Sequence, residues 1–160
     1  MPSKELNLFT GKALRFLKLQ LKRLKVVDME ASCLYIYKWS RMIREIESDN
    51  NPEAAAKTTS AKGVYQFTDD SVQTAKNRMF NMGFFKEDIR EIPMNPHKWT
   101  DEQADCIFLA NMFAQRGSDK LLSKVAYGDL EAMKEAYYKF HHTDPDKATI
   151  KRVEKLMLCK

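Results

Sequence analysis

Apolar residues recur at spacings of three and four through most of this chain, the signature of helices that bury one face. Leu14, Leu17, Leu21 and Leu24 mark the first such face, with Lys and Arg on the others. Leu34 to Glu47 carries the second. Its Ile36, Trp39, Ile43 and Ile46 fall within a sector of about 80° at about 100° per residue, and Asn51-Pro52 stops it through the pre-proline restriction. Thr68 caps a third helix beginning Asp69-Asp70, with Val72, Ala75, Met79 and Met82 inward and Gly83 at its end. Thr100-Asp101-Glu102-Gln103 is a capping box opening a helix through Ile107, Phe108 and Met112 to Gly117. A short helix from Ser118 to Tyr127 and another from Leu130 to Phe140 follow. Asp144-Pro145 reads as an N-cap with proline at the first helical position, starting a last helix near Lys147 to Leu158. Two stretches break the pattern. Residues 52–67 read as an irregular segment or a short hairpin, and residues 84–99 as a long connection expected to form one wall of a cleft.

Composition narrows this to a mainly α protein. A chain of 160 residues with 44% hydrophobic and 11% aromatic residues buries a single core, and only five glycines and five prolines interrupt its helices. Cys33, Cys106 and Cys159 are widely spaced and form no CxxC, so they read as reduced structural thiols. No run of apolar residues is long enough to span a bilayer.

Charge is unevenly placed. Residues 1–27 hold seven basic groups against Glu5, a net of +6, while the remainder is near balance with 20 basic and 21 acidic residues. The chain therefore reads as a basic amphipathic arm over residues 1–30 ahead of one helical domain over residues 31–160. Lysines interrupt every apolar run of the arm and no small-residue cleavage site follows, so it is not a signal peptide. As a helix it packs on the domain and shows its basic face to water, or it attracts an anionic membrane or wall polymer. No specific nucleic acid is expected, since only Phe9 and Phe16 lie among its basic residues.

Glu47 is the first candidate for chemistry. It lies about 60° from the centre of the apolar sector of its helix, whereas Glu45 lies about 140° away beside Lys38 and Arg41. Glu45 reads as a solvated acid and Glu47 as a carboxylate at the lip of the core, placed for a raised pKa and general-acid work. Ser48 follows it directly, then Asn51-Pro52, then Ser60-Ala61-Lys62-Gly63-Val64-Tyr65-Gln66-Phe67.

That series resembles the soluble lytic transglycosylase (SLT) domain, a lysozyme-like fold, in its phage-encoded form. The family has a Glu-Ser pair ending a helix and, roughly twenty residues on, a Gly-Leu-Met-Gln or Gly-Leu-Tyr-Gln motif, here with Val64-Tyr65 for Leu-Met. The resemblance covers about residues 31 to 150. It implies a small sheet near residues 52–67 at most, a peptidoglycan substrate and no cofactor. Glu47 is then the one acid/base: it protonates the leaving oxygen of the MurNAc-β-1,4-GlcNAc bond, takes the proton of the C6 hydroxyl and leaves a 1,6-anhydro sugar. Ser48 would orient Glu47, and Tyr65 and Gln66 would hold the sugar. Val125-Ala126-Tyr127-Gly128 looks like a shortened Ala-Tyr-Asn-x-Gly motif, whose tyrosine contacts the glutamate. Tyr137, in a segment similar to the C-terminal part of phage members, is an equal candidate for that contact. Such an enzyme acts on the wall in the periplasm, released through a holin-type lesion or delivered with a virion.

Two rivals stand beside this reading. A hydrolytic muramidase of the same fold would use Asp49, Asp69 or Asp70 to position a water. An inactive lysozyme-like virion structural protein would dock through its basic arm. A metal site is not expected, because His141 and His142 point about 100° apart on a helix and no cysteine has ligand spacing. Those histidines read as helix-capping groups that hydrogen-bond to the Asp144 turn. Neither a nucleophile elbow nor a phosphate-binding glycine loop occurs.

Overall fold

The computed structural model describes residues 8–57 and 59–158; Lys4, Glu5 and Cys159 lie outside them. The described residues are mainly helical and contain no strand. No helix among them is long and apolar enough to cross a membrane. The helices are α1 (Gly11–Arg23), α2 (Met29–Ser48), α3 (Asp69–Asn81), α4 (Lys86–Glu91), α5 (Asp101–Phe113), α6 (Ser118–Val125), α7 (Leu130–Phe140) and α8 (Lys147–Val153). A 3₁₀ turn, Pro96–Lys98, precedes α5, and a π turn, Glu154–Leu158, continues α8.

The centre is α5, buried on every side from Ala104 to Phe113. Apart from Asp105 and Asn111 this stretch is apolar all round, which fits a helix enclosed by others rather than one lying on a surface. α1, α3 and α6 pack around it. α1 buries Ala13, Phe16, Leu17 and Leu21 in the same core and leaves Arg15, Lys18, Lys22, Arg23 and Lys25 exposed. Arg23 closes a two-pronged ion pair on Asp119 of α6, at 2.6 and 3.0 Å. α2 begins at Met29, because Asp28 accepts a hydrogen bond from the Ala31 amide. The division expected between residues 30 and 31 therefore falls in its first turn. Ile36, Trp39, Ile43 and Ile46 form its buried face, as their periodicity requires.

The opposite side of α2 is not simply wet. Arg44 is 2% exposed, and its guanidinium reaches Asp105 of α5 at 2.8 Å and Asp101 at 2.9 Å. Arg41 grips Asp105 with two bonds of 2.9 and 3.0 Å, and the Tyr65 hydroxyl donates to the same carboxylate at 2.7 Å. The Tyr65 ring stacks on Phe108 with centroids 4.2 Å apart. Burial and Asp105, partly offset by the two arginines, push the Tyr65 hydroxyl well above its usual range, so it remains a donor.

Of the two breaks in the helical pattern, the first takes the irregular form and not the hairpin, and the second carries short helices of its own. Residues 52–67 form no hairpin, only two isolated bridges, Ala55 with Lys62 and Lys62 with Phe67. Residues 84–99 are not a loose connection but carry α4 and the 3₁₀ turn, capped by Asn95 accepting from the His97 amide at 3.0 Å. They brace the 52–67 segment from outside. Pro96 lies so close to Gly63 (φ +80°) that a β-carbon there would come within 3.0 Å of its ring, and Trp99 packs on Phe67 with centroids 5.5 Å apart. α5 ends at Phe113, short of Gly117, which instead caps α6 at φ +79°. The N-cap of α8 is Asp146, accepting from the Thr149 amide at 2.8 Å, with Pro145 outside the helix.

Asp105→Ala would leave two guanidiniums and a phenol without their shared acceptor in the interior. The expected cost is about 3–5 kcal/mol of unfolding free energy, as for other buried pairs deprived of one partner. Urea denaturation measures it, and a loss below about 1 kcal/mol would show the cluster to be dispensable.

Candidate functional site

The last turn of α2 brings Glu47 to the wall of an open cavity of about 610 Å³. Gln66, His142, Asp144, Thr149 and Arg152 line it too. The Glu47 side chain is only 9% exposed. Beyond it, Asp49 adopts the left-handed conformation (φ 55°) that ends the helix. Arg152 of α8 donates to both the Glu45 carbonyl and the Asp49 carboxylate, tying α8 across the helix end.

Three groups from the end of α7 surround the glutamate. Tyr137, fully buried, donates its hydroxyl to Glu47 Oε2. α7 closes with the His142 amide bonded to the Tyr137 carbonyl at 2.9 Å, which swings the His142 ring back over the same carboxylate. His142 Nδ1 lies 2.9 Å from Glu47 Oε2 and 3.1 Å from the Tyr137 hydroxyl. His141, 6% exposed, donates from Nε2 to the Tyr65 carbonyl at 2.8 Å and sits 4.0 Å from Oε2. Both bonds of Glu47 thus fall on Oε2; Oε1 has no hydrogen-bond partner among the described residues.

These contacts correct the expected acidity of Glu47. Burial alone does push the carboxyl up. The hydrogen bond from His142, the field of His141 and the bond from Tyr137 outweigh it, so the net direction is down. His142 moves up from the usual histidine value, through its bond to Glu47 and against partial burial. His141 moves down, because burial outweighs both the Glu47 charge and its bond to the Tyr65 carbonyl. Tyr137 is driven up by burial and by the Glu47 charge, and stays protonated.

The structure gathers some of the predicted site residues and disperses others. Tyr137, not Tyr127, is the tyrosine on the glutamate. Tyr127 is 55% exposed, and its hydroxyl accepts from the Val27 amide at 3.1 Å. Tyr65 is wholly buried beneath the cavity with its hydroxyl on Asp105, so its side chain presents no face to a ligand. Ser48 does not bond Glu47; its hydroxyl donates to the Val64 carbonyl at 2.8 Å and pins the Gly63–Phe67 turn to α2. Gln66 does line the cavity, and its amide donates to the Ala54 and Gly63 carbonyls. Phe67 is core, 2% exposed.

Asp49, Asp69 and Asp70 are absent from the cavity wall; Asp49 pairs with Arg152 and Asp69 with Lys62. The 84–99 segment does not line this cavity, where the α7–α8 connection and α8 stand; its Phe84, Asp88, Glu91 and Ile92 line a separate one with Lys12 and Cys106. Among the described residues no group of three or more His, Cys, Asp or Glu side chains is arranged to hold a metal. The histidines were the residues that capping logic undervalued. Their signal was their place one turn beyond Tyr137, on the helix end that a tyrosine–glutamate contact would bring to Glu47.

The two histidines set opposite pH limits on stability. The folded His141 resists protonation, so the unfolded chain gains its proton first as the pH falls below the ordinary value of 6.5, and stability declines there. The folded His142 holds its proton more tightly than the unfolded chain, so its contribution is complete below 6.5 and fades as the pH rises through its elevated value. The urea midpoint is therefore expected to peak near pH 6.5. His141→Asn should flatten the acid side and His142→Asn the alkaline side; a midpoint level from about pH 5 to 8 in the wild type would contradict both.

No protein-family model, curated protein or solved structure matches this chain, so the residues and their geometry carry the assignment of a function.

Proposed function

We propose that the chain is a lytic transglycosylase of lysozyme-like fold that cleaves the MurNAc-β-1,4-GlcNAc bond of peptidoglycan with Glu47 as its acid/base. One observation carries this reading. A nearly buried glutamate at a helix end has one carboxylate oxygen held by a tyrosine hydroxyl and the other without a protein partner, on the wall of a cavity it shares with Gln66. A volume of about 610 Å³ lies within the range of about 300–1,000 Å³ typical of ligand sites. The motif order Glu47-Ser48, Gly63-Val64-Tyr65-Gln66 and Tyr137 supports the family reading from the sequence side.

The chemistry needs a proton for the leaving oxygen and a base for the incoming hydroxyl, and one carboxyl group at Oε1 can serve both in turn. Ser48 acts indirectly, by fixing the turn that presents Gln66. The exposed Arg15, Lys18 and Lys22 of α1 support attraction to an anionic wall polymer or membrane. The phage character of the motifs supports release through a membrane lesion or delivery with a virion.

A hydrolytic muramidase is the second reading, and the observation in its favour is Asp144 on the same cavity wall. Mass spectrometry of soluble products from purified peptidoglycan separates the two. Wild type is expected to release 1,6-anhydromuramic ends, and Glu47→Gln to lose at least about 10²-fold in rate. Reducing muramic ends would assign hydrolysis instead. No soluble product from several wall types would move the protein to an inactive structural role.

A further inference from the structure

We infer that His142 is a positioning residue for Glu47, and that the two side chains hold one exchangeable proton between them, the proton the site delivers in cleavage. The delivery rests on the transglycosylase reading; the sharing of the proton rests on the geometry alone.

Hydrogen-bond bookkeeping fixes the tautomer. His142 Nδ1 is within reach of two atoms, Glu47 Oε2 at 2.9 Å and the Tyr137 oxygen at 3.1 Å. Oε2 can only accept while the glutamate is ionised, and the tyrosine hydrogen is committed to Oε2. Both neighbours therefore offer lone pairs to Nδ1, and Nδ1 carries a hydrogen in the neutral and the charged ring alike. The proton that comes and goes on His142 sits on Nε2, on a ring 31% exposed at the cavity wall, where the Asp144 backbone also favours the charged form. The matching place on the glutamate is Oε1, which has no hydrogen-bond partner among the described residues.

The surroundings leave His142 as the counter-charge. Facing it are Glu47 from α2, Tyr137 and the buried His141 from α7, Asp144 from the connection, and Asp146 and Arg152 from α8. Arg152 is engaged with Asp49 and the Glu45 carbonyl, and burial opposes a charge on His141. Asp146 caps α8 and adds negative charge on the same side. A carboxylate 9% exposed needs a cation, and His142 is the titratable group in contact that can become one.

At rest the pair is imidazolium and carboxylate. In the reactive form the Nε2 proton has left for cavity water and Oε1 has gained one, while the Nδ1–H bond to Oε2 persists. Oε1–H then passes its proton to the bridging oxygen as the bond from that oxygen to the anomeric carbon breaks. The C6 hydroxyl oxygen forms the new bond to that carbon, and its proton returns to the carboxylate. The pair ends with the single proton it began with, so the alkaline limit of activity belongs to the pair and not to Glu47 alone.

Two measurements test this. By NMR, His142 is expected to titrate above 6.5 in the wild type and about one unit lower in Glu47→Gln; the same titration in both would overturn the pairing. In wall-solubilisation assays, His142→Asn keeps a donor near the Nδ1 position but cannot titrate. Its alkaline limb is expected to move about one unit to lower pH, because the variant's limb is Glu47's own and the wild type's belongs to the pair. A uniform loss at every pH would make His142 merely structural and overturn the shared proton. If the wild type releases no product at all, the transglycosylase reading and proton delivery fall together, and the NMR titration still decides the pairing.

Discussion

The buried carboxylate of Asp105 is the constraint from which the rest of the molecule takes its alignment. It collects Arg41 and Arg44 from one helix and the phenol of Tyr65 from the irregular segment, so α2, α5 and the 52–67 turn meet at a single acceptor. Charges this deep are tolerated only when their partners are complete, which makes the relative placement of these three elements close to all-or-none. The chain of contacts goes further. The Tyr65 carbonyl, on the residue whose hydroxyl Asp105 holds, accepts from His141 at the end of α7. The core charge cluster thus reaches the cavity through one residue, the side chain facing inward and the backbone facing the histidines.

At the cavity the same economy shows in Glu47, whose two oxygens have different lives. Oε2 is saturated by a tyrosine and a histidine; Oε1 is left to whatever enters. Such division gives the carboxylate a fixed orientation and leaves its other oxygen open to the cavity. Groups oriented in advance need little rearrangement when a ligand binds. Tyr137 serves structure and site together, since its ring is buried in the core and only its hydroxyl reaches the glutamate.

Much of this was legible in the sequence because periodicity and caps are local. The α7 limits, the Thr68 and Thr100 caps and the inner face of α2 follow from spacing alone. Four things did not. Arg44 and Asp105 are polar letters in polar-looking positions, and only their distant pairing, 61 residues apart, makes them interior. Tyr65 sits in a motif whose Gln66 does line the cavity, yet its own ring turns inward to Asp105. Glu47's acidity depends on histidines nearly a hundred residues downstream, and no local rule assigns the net effect of burial against two such partners. The α4 turn was hidden for a different reason: with six residues and no fully buried side chain it leaves no periodic stripe to read.

Arg152 gives the cavity a second, independent sensitivity. The guanidinium that ties α8 to the end of α2 lies in the open, 39% exposed, against an Asp49 that is 78% exposed. Mobile ions reach it, while Oε2 of Glu47 is shielded from them. Concentrated salt therefore loosens the far wall without touching the glutamate's own bonds. Protons act on the contact between Glu47 and His142 and dissolved salt on the tie that holds α8, so the two solution variables address separate parts of one cavity.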